Sequence, residues 1–508
     1  MSTFILPASG GLSKKDNVWT LAVALGILYS TYSVLARFYS VYFGPLSHIP
    51  GPKLRAFTRI PDVIAIIRGT KDRELVKLHG KYGVAVRIRP REVSYAATPE
   101  VWKELNGFKS VTLKDPSHYF DQNVNHTRSV FDALDRTEHS RQRKVLSHSF
   151  ADKTLREIEP LLQGWARKFG ERLVKSASAP VDMATLYHCL TFDVMADICF
   201  AEDLGMLASG KLNEWVHLIF ANVATGAVIN CIKNLHPILE YIVTYIYQHG
   251  PVKAKRIVHW NFTKDRMDRR TELDNPSRQD LWSAIIKSSG RPGGLTLDEQ
   301  HSNASVFMIA GTETTSSALA GTTYLLLKNP KYLKILTQEI RENFNSLHDL
   351  RLDALARLKN LNAILQESLR IYPPAPGQLP RITPKEGCNL LDTFVPGNTV
   401  VAIHQLAGYQ LPQNFKDPMA FRPERWLGDP EFKDDRLGAA EPFGTGPRNC
   451  IGKNLAWHEM RLVLSSVLLQ FDLELCPESD GWFDTQKIYL LWGKPPLMCK
   501  LTRVNPSA

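Results

Sequence analysis

One cysteine lies in the segment that most constrains how this chain can fold. Cys450 stands in Pro442-Phe443-Gly444-Thr445-Gly446-Pro447-Arg448-Asn449-Cys450-Ile451-Gly452, and a helical pattern at 453–469 follows directly. Glycines let a backbone approach a bulky partner closely, and a cysteine just before a helix is favoured as a thiolate by the helix dipole. Backbone N–H groups of the turn can also hydrogen-bond the sulfur. The segment predicts a thiolate suited to ligating a haem iron, with a buried structural cysteine as the alternative.

A second segment predicts a long helix with a polar centre. The helix begins at the capping-box pattern 296–299, ends at Asn329-Pro330, and contains Ala310-Gly311-Thr312-Glu313-Thr314-Thr315. Its ~30 residues correspond to roughly 45 Å, enough to cross a large domain. Gly311 leaves space for a close neighbour, and the Thr314 hydroxyl can hydrogen-bond the carbonyl of Ala310. A polar patch satisfied by the backbone is the alternative to a functional site here.

The cysteine loop carries a resemblance to a known family. Its pattern, Phe-Gly-x-Gly-x-Arg-x-Cys-x-Gly at 443–452, resembles the haem-binding loop of the cytochrome P-450 superfamily. The resemblance implies that Cys450 is the axial ligand of haem b (iron protoporphyrin IX). The loop residues that it implies around the cofactor are Phe443, Gly444, Gly446, Arg448 and Gly452.

The polar centre of the long helix resembles the oxygen-binding helix of the same superfamily. By that resemblance, Ala310 and Gly311 border a widened groove that holds dioxygen and water. Thr314 is implied to hydrogen-bond the activated oxygen and to help deliver protons, and Glu313 to take part in the proton supply. Such acid–base chemistry requires hydrogen-bond reach to the oxygen, directly or through one water.

Basic residues are expected to converge on the two propionates of a haem. By resemblance, Arg448 and Arg381 are expected there, since Arg381 follows Pro380 where the family places a propionate ligand. Arg143 takes the place of the arginine in the family's W-x-x-x-R helix. His139 stands at the tryptophan position of that motif, and histidine can also donate a hydrogen bond.

Three further charged residues resemble a structural element of the superfamily. Glu367 and Arg370 are three residues apart on one predicted helical face, as in its E-x-x-R helix, and Arg425 stands in a P-E-R segment. The resemblance implies one buried charge triad that holds the cysteine loop and admits haem, without a part in the chemistry. Taken alone, Glu367 and Arg370 would more often form a surface pair worth under about 1 kcal/mol.

The N-terminus predicts a membrane anchor. Residues 18–36 carry no charge, and nineteen helical residues cover roughly 29 Å, close to the thickness of a bilayer core. A buried core helix is the alternative. We predict an N-terminal tail at 1–17, a transmembrane anchor at 18–36, a juxtamembrane and proline-rich hinge at 37–53, and a haem-thiolate catalytic domain at 54–508.

Helical patterns dominate this catalytic domain, and Pro237 is expected to divide the apolar stretch 214–247 into two helices. Strand patterns occur at 83–96, which predicts a pair of strands with a turn around Pro90, at 398–403 and near the C-terminus. The predicted fold class is therefore mostly α (α+β), a large helical domain with small peripheral β-sheets. Resemblance to microsomal members implies the cytochrome P-450 fold. It also implies the endoplasmic reticulum membrane, with the catalytic domain in the cytosol.

Charge and cysteine content restrict the partners. The net charge is +11, but no nucleic-acid motif accompanies it, so anionic lipids or an acidic redox partner are preferred to nucleic acid. The seven cysteines form no CxxC pair, which favours a reducing compartment. Because the chain lacks a G-x-G-x-x-G fingerprint, NADPH electrons are expected through a separate NADPH–cytochrome P-450 reductase, with cytochrome b5 as a second donor.

The implied function is a haem-thiolate monooxygenase that inserts one atom of O2 into a lipophilic small molecule by hydroxylation or epoxidation. Residues 138–150 look like those of fungal members that tailor secondary metabolites. The predicted substrate walls are 111–132, 212–247, 307–315, 375–379 and 487–490. The alternatives are a haem-thiolate isomerase, dehydratase or oxidative cyclase, and a non-enzymatic haem sensor or carrier.

Overall fold

The computed structural model describes residues 14–119, 124–273, 278, 280–288, 290–377 and 379–504. Most of the predicted N-terminal tail, residues 1–13, lies outside the described residues, as do parts of two predicted substrate walls, 120–123 and 378. The α-helices are α1 (Lys14–Tyr42), α2 (Lys53–Phe57), α3 (Ile60–Arg68), α4 (Lys71–Tyr82), α5 (Pro99–Asn106), α6 (Arg136–Ser147), α7 (Asp152–Glu157), α8 (Glu159–Ser176), α9 (Met183–Phe200), α10 (Met206–Ser209), α11 (Glu214–Lys233), α12 (Pro237–His249), α13 (Pro251–Glu272), α14 (Leu281–Ser288), α15 (Leu297–Lys328), α16 (Pro330–Asn343), α17 (Leu352–Leu355), α18 (Lys359–Ile371), α19 (Gln405–Tyr409) and α20 (Lys453–Gln470).

The strands are short and few residues belong to them. They are β1 (Ala85–Arg89), β2 (Glu92–Ala96), β3 (Leu113–Lys114), β4 (Val181–Asp182), β5 (Arg381–Ile382), β6 (Cys388–Leu390), β7 (Thr393–Val395), β8 (Val400–His404), β9 (Phe471–Leu475), β10 (Lys487–Tyr489), β11 (Leu491–Gly493) and β12 (Met498–Arg503). Short 3-10 helices occur at Leu347–Asp349, Pro423–Leu427, Pro430–Phe432, Leu437–Ala439, Gly446–Arg448 and Pro477–Ser479. The predicted fold class, mostly helical with small sheets, is confirmed.

The largest sheet has the strand order β1-β2-β8-β5-β3. Strands β1 and β2 form the antiparallel pair predicted around Pro90, and β2 pairs in parallel with β8. The remaining sheets are β4-β12-β9 and the two-stranded pairs β10-β11 and β6-β7. Apart from β2 with β8, the described pairings are antiparallel.

The centre of the helical region is built on α9 and α15. Nearly every residue of α9 is buried, as expected for a helix whose sequence is apolar on all sides. Helix α15 packs against α9, α13, α18 and α20. The predicted capping box is confirmed, because the Thr296 hydroxyl accepts the Glu299 N–H and the Glu299 carboxylate accepts the Thr296 N–H. A single helix of 32 residues thus runs through the domain.

The apolar N-terminal helix stands apart from this core. Residues Val18–Tyr42 are long and apolar enough to cross a membrane, and none of that apolar window is buried. The helix continues past Ala36 to Tyr42, so the predicted hinge 37–53 starts as helix and only 43–52 is non-helical. Arg87 fastens this region to β1, because its N–H donates to the Pro50 carbonyl at 2.8 Å and its guanidinium to the Ser40 carbonyl at 3.1 Å. The domain boundaries stay a prediction.

The predicted division of the apolar stretch after residue 213 is also observed. Helix α11 ends at Lys233 and α12 begins with Pro237 at its first turn. Proline lacks an N–H and cannot continue a helix interior, but it is tolerated at a helix start. Helix α12 exposes several large apolar side chains: Ile238, Tyr241, Ile242, Tyr245 and Ile246.

Candidate active site

The cysteine loop is a tight turn that its glycines make possible. Gly444 and Gly446 have φ values of 68° and 72°, a region that favours glycine. A Cβ added at Gly446 would lie 1.9 Å from the Asn106 carbonyl oxygen, so no other residue fits there. The Cys450 N–H donates to the Phe443 carbonyl at 2.8 Å and closes the turn. Gly452, the N-cap of α20, donates its N–H toward the cysteine sulfur, as the sequence suggested.

Two properties of Cys450 together indicate that its sulfur faces an internal cavity. The residue is exposed, yet burial raises the pKa of its thiol because protein surrounds it. The Gly452 N–H, Arg143 and Lys453 oppose this rise without overcoming it. The position before a helix therefore does not by itself produce a thiolate. A metal cation that binds the sulfur would displace the proton, as metals do at coordinating thiols.

Helix α15 presents an open stripe in an otherwise buried helix. Ala310 is exposed and Gly311 and Thr314 are half-buried, whereas Thr312, Glu313 and Thr315 are buried. The Thr314 hydroxyl donates to the Ala310 carbonyl at 2.6 Å, the interaction that the sequence predicted. A Cβ at Gly311 would lie 2.6 Å from the sulfur of Met195 on α9, so this glycine allows the two helices to approach.

A chain of aromatic contacts connects the cysteine loop to α15. A Cβ built at Gly452 would lie 3.9 Å from the Phe150 ring. That ring meets Phe307 of α15 edge to face, with centroids 5.3 Å apart. Phe443 packs against the same core and lies 6.2 Å from the Trp457 ring of α20. The loop and the helix therefore belong to one packed unit.

Glu313 points into a buried polar cluster. Its carboxylate accepts from His188 Nε2 of α9 at 2.6 Å and from the Ser317 hydroxyl at 3.3 Å, and it also contacts the Lys494 ammonium. Burial alone would raise the pKa of Glu313, but Lys494 and His188 outweigh it and lower the pKa to about 2. Burial lowers the pKa of His188. Glu313 is thus a carboxylate bound by a cation, and a proton that it passed on would have to come through these partners.

The predicted propionate residues converge, and a further cation joins them. This basic cluster consists of Lys114, His139, Arg143, Arg381 and Arg448. Burial, together with Arg448, lowers the pKa of Lys114 to about 7 and that of Arg381 to about 10. Burial also lowers the pKa of His139 to about 3, and the four neighbouring cations contribute to that shift. These residues therefore lie close enough to repel one another.

Within the described residues, no carboxylate forms a salt bridge with the four cations of the basic cluster. Their donors go instead to neutral groups. Arg448 donates to the Ala133 carbonyl at 2.7 Å, Arg381 to the Asn106 amide oxygen at 2.7 Å, and Arg143 to the Asn449 carbonyl at 2.6 Å. These four cations are half-buried, and removing a charge from water without a nearby anion is costly, so the site is suited to a ligand that brings its own negative charge.

Haem fits these three features. It is a flat apolar macrocycle with two carboxylates and an iron that accepts a thiolate. The cavity at Cys450 could hold the iron, the basic cluster could bind the carboxylates, and the open stripe of α15 would face the bound cofactor. Arg143 plays a second part here, because its hydrogen bonds to Asn449 hold the residue next to Cys450.

Glu367, Arg370 and Arg425 lie in contact, completely buried. Arg370 donates to both carboxylate oxygens of Glu367, at 2.7 and 2.9 Å, and Arg425 donates to one of them at 3.2 Å. Asp435 joins them through an ion pair with Arg425. We call these four residues the carboxylate network. Two carboxylates face two guanidinium groups, so its charges balance.

Sequence reasoning missed several residues of these clusters. Lys114, Asp435, His188 and Lys494 lie in no motif, and each is separated from its partners by a long stretch of chain or by a loop. Only a weak indication for Lys494 was present in the sequence. It stands between Gly493 and Pro495-Pro496, so it does not lie on the solvent-exposed face of a helix, where lysines are common. No local pattern predicts Lys114, whose ammonium donates to the Phe131 carbonyl and lies over the Tyr119 ring.

Comparison with known proteins agrees with this geometry. Residues 51–501 match the sequence profile of the family described as cytochrome P-450. The cytochrome P-450 monooxygenase efuB of Hormonema carpetanum is 39% identical over 494 residues, which cover 95% of this chain and 96% of that protein. The cytochrome P-450 monooxygenase FUM2 of Gibberella moniliformis is 39% identical over 485 residues, 92% of this chain and 100% of that protein.

Averantin hydroxylase of Dothistroma septosporum is 36% identical over 488 residues, which cover 95% of this chain and 91% of that protein. These similar proteins are fungal and extend over almost the same length. The family binds haem through a cysteine thiolate and uses dioxygen. This chain therefore belongs to the cytochrome P-450 family and is an oxygen-incorporating oxidoreductase.

Proposed function

We propose that the protein hydroxylates or epoxidises a lipophilic small molecule in fungal secondary metabolism. The observation that carries this proposal is the cavity-facing Cys450 beside a basic cluster without carboxylate partners. Family members similar over the whole chain support the monooxygenase class. One of them is named for the hydroxylation of averantin.

In this proposal the cysteine loop holds the cofactor. Haem, when bound, supplies the iron that activates dioxygen. The Cys450 sulfur ligates that iron, and the Gly452 N–H tempers the sulfur by hydrogen bonding. Phe443, Gly444 and Gly446 shape the turn around the ligand. Arg381 and Arg448 neutralise the propionates, with Arg143, His139 and Lys114 as their neighbours.

Helix α15 supplies the oxygen side of the proposed site. Ala310 and Gly311 line its open stripe. The Thr314 hydroxyl can turn from the Ala310 carbonyl to donate a hydrogen bond into the cavity. Glu313 is proposed to take part in proton supply through its buried partners, since its carboxylate faces the Lys494 side of the helix.

The carboxylate network is proposed to hold the frame around the cysteine loop rather than to react. Glu367 accepts the Arg422 N–H and the Trp426 indole N–H as well as the two guanidinium groups. One carboxylate thereby fixes α18 against the segment 421–426. Removal of any member would leave a buried group without its partner.

Electrons are proposed to come from NADPH through a separate cytochrome P-450 reductase, with cytochrome b5 as a second donor. The location is proposed to be the endoplasmic reticulum membrane, with α1 as a single-pass anchor and the catalytic domain in the cytosol. Exposed apolar residues of α3 and α12 support contact with the membrane surface. The start of α3 lies close to the segment that leads into α12, since Arg59 donates to the Asn234 carbonyl at 2.9 Å.

Reduction in the presence of carbon monoxide tests the thiolate assignment. The wild-type protein should give the red-shifted Soret band of a haem thiolate. Cys450→Ala should lose that band and all turnover, because no other sulfur lies at the loop. A normal band in folded Cys450→Ala would contradict the assignment, and no band in folded wild-type protein would overturn the proposed function.

Labelled dioxygen separates the monooxygenase from a haem-thiolate isomerase, dehydratase or cyclase. With reductase and NADPH, one labelled atom should appear in the product. Label absent from product, or turnover without reductase, would favour the alternative. A haem sensor would bind carbon monoxide but consume no NADPH with any candidate scaffold.

Thr314→Ala tests the proposed relay. The variant should keep haem and the carbon monoxide band, because Thr314 forms its hydrogen bond within its own helix. We expect product per NADPH to fall by roughly a hundredfold, the lower end of the range for removing one proton-transfer group. Unchanged coupling, with Thr314→Ser as the conservative control, would exclude a part for this hydroxyl.

A further inference from the structure

Lys494 is a buried lysine that no motif predicted. Its side chain is only 3% exposed, and burying an ammonium is costly unless it is paired. Its Nζ donates to the Ser317 hydroxyl at 2.6 Å and contacts the Glu313 carboxylate. Both of these partners lie on α15. The C-terminal segment is thereby joined to the central helix through one buried ion pair.

The residues that precede Lys494 form the hairpin β10–β11. Its tip residue Leu490 has a φ of 73°, and its carbonyl accepts the Gly377 N–H at 3.2 Å. A Cβ at Gly377 would lie 2.6 Å from the Leu490 Cα, so tip and loop are in close contact. This tip and the 375–379 loop are two of the predicted substrate walls. The hairpin therefore borders the proposed substrate cavity.

A ring stack and two hydrogen bonds hold the hairpin on the side away from Gly377. The Trp492 ring stacks on Tyr372 at 4.4 Å, and its N–H donates to the Pro373 carbonyl at 2.7 Å. The Ile488 N–H donates to the Gly69 carbonyl at 3.0 Å. Tyr372 in turn lies against α15, because a Cβ at Gly321 would lie 2.3 Å from its ring, but this contact is uncharged. Among the described residues, Lys494 forms the charged link between the end of this hairpin and the helix.

Glu313 and Thr314 are consecutive, so their side chains diverge by about 100° around the helix. Glu313 is directed to the hairpin side, whereas Thr314 lies on the open stripe. A displacement of Glu313 relative to Lys494 would therefore change the distance between the hairpin and the Thr314 side of the cavity. The position of a substrate wall is linked to the oxygen site through one residue.

We propose that Lys494 is a positioning residue: its ion pair with Glu313 fixes hairpin β10–β11 against α15 and so sets the depth of the substrate cavity. The hairpin then determines which long apolar substrates fit beside Thr314. This inference rests on the proposed function, because it treats the hairpin as a substrate wall. It gives the Glu313 carboxylate a part that does not depend on proton transfer.

The test is built on a double variant, because Lys494→Met alone leaves the buried Glu313 carboxylate without its lysine, with only His188 and Ser317 in contact with it. Glu313→Gln/Lys494→Met removes both charges, which is tolerated far better than removing one. The matched control is Lys500→Met, because Lys500 pairs with Glu474 on the surface, with both side chains more than half exposed. All variants are full-length and haem-loaded.

Hydrogen exchange is the first measurement. In the double variant, amides of 487–493 should exchange at least about tenfold faster than in the wild type, as expected when a local tie is lost. Lys500→Met should leave those amides unchanged. The single variant Lys494→Arg should keep the slow exchange of the wild type, because a guanidinium also pairs with a carboxylate.

The second measurement compares imidazole with 1-dodecylimidazole, detected by the shift of the Soret band. The small ligand should bind equally well to wild type and double variant. The Kd of the long-chain ligand should differ about fivefold between wild type and double variant, a change of about 1 kcal/mol, because only this ligand reaches the hairpin. Wild-type exchange and an unchanged affinity ratio in the double variant would overturn the inference. Failure of the proposed function would instead appear in the wild type, as a missing thiolate band.

Discussion

The carboxylate network is fully buried and the basic cluster is half-buried, and their charges are arranged in opposite ways. Glu367 and Asp435 match Arg370 and Arg425 one for one at hydrogen-bond distance. Lys114, Arg143, Arg381 and Arg448 repel one another and donate to neutral oxygens. In the carboxylate network the positive and negative charges are equal in number, so it needs no charged ligand. An unbalanced one is explained by a ligand that brings the missing charge, which here is expected to be the haem propionates.

The largest predicted effect is on the balanced network. Glu367→Gln should destabilise the fold by about 3–5 kcal/mol, because two buried guanidinium groups lose their common carboxylate. Much of the protein should be insoluble, and the soluble part should lose haem and unfold at lower temperature.

The control for this variant is Asp353→Asn, which removes an exposed partner of Arg357. An exposed pair of this kind contributes under about 1 kcal/mol, so unfolding should be nearly unchanged. Equal stability of Glu367→Gln and Asp353→Asn would show that charge balance in the core is not what holds this frame.

A lone buried carboxyl sharpens the comparison. Glu459 of α20 is 4% exposed, its Oε1 has no hydrogen-bond partner among the described residues, and burial raises its pKa to about 8, with only a hydrogen bond from Thr315 opposing the shift. Since the folded state holds this proton more tightly than the unfolded state, whose value is near 4.5, stability should fall as pH rises from about 5 to 8.

Glu459→Gln should remove this pH dependence and be more stable than the wild type at pH 8. The expected difference is on the order of 3 kcal/mol at neutral pH, measured by urea unfolding at a series of pH values. Parallel pH profiles for the two proteins would mean that Glu459 is ionised in the fold and has an unrecognised cation.

The smallest expected effect is on the stability of the haem-free protein when the basic cluster is changed. Arg381→Met should change the stability of the haem-free protein by less than about 1 kcal/mol, because it relieves repulsion while losing neutral hydrogen bonds. The same variant should lose haem about tenfold faster to an acceptor such as apomyoglobin, because one charge-assisted pair is gone.

Arg381→Lys is the conservative control for this prediction and should lie between wild type and Arg381→Met. If Arg381→Met kept haem as tightly as the wild type while destabilising the haem-free fold, the cluster would be structural. The comparison with the carboxylate network would then fail, since both clusters would serve the frame alone.

Sequence patterns correctly predicted the structural elements that depend on interactions between neighbouring residues. Pro237 divided two helices, the Thr296–Glu299 capping box began a third, and the glycines around Cys450 marked a turn that only glycine can form at Gly446. These are effects of one residue on its neighbours along the chain. The N-terminal helix continues past the predicted anchor to Tyr42, because residues 37–42 contain no residue that stops a helix.

Partners distant in the chain could not be found in this way. Lys494 meets Glu313 across 181 residues, and Asp435 completes a network whose other members were recognised only by resemblance. The burial that raises the pKa of the metal-free Cys450 thiol also depends on residues distant in the chain, whereas the helix dipole that favours the thiolate is a local effect.

By itself, the sequence determined the family, the mostly helical class, and which cysteine, threonine and arginines were candidates for the site. It could do so because glycine turns, helix caps and motif spacing act over short stretches of chain. Only the tertiary structure decided which buried charges balance one another and which remain for a ligand. That decision depends on distances between residues that lie tens to hundreds of positions apart in the chain, because charge compensation is set by distance in space.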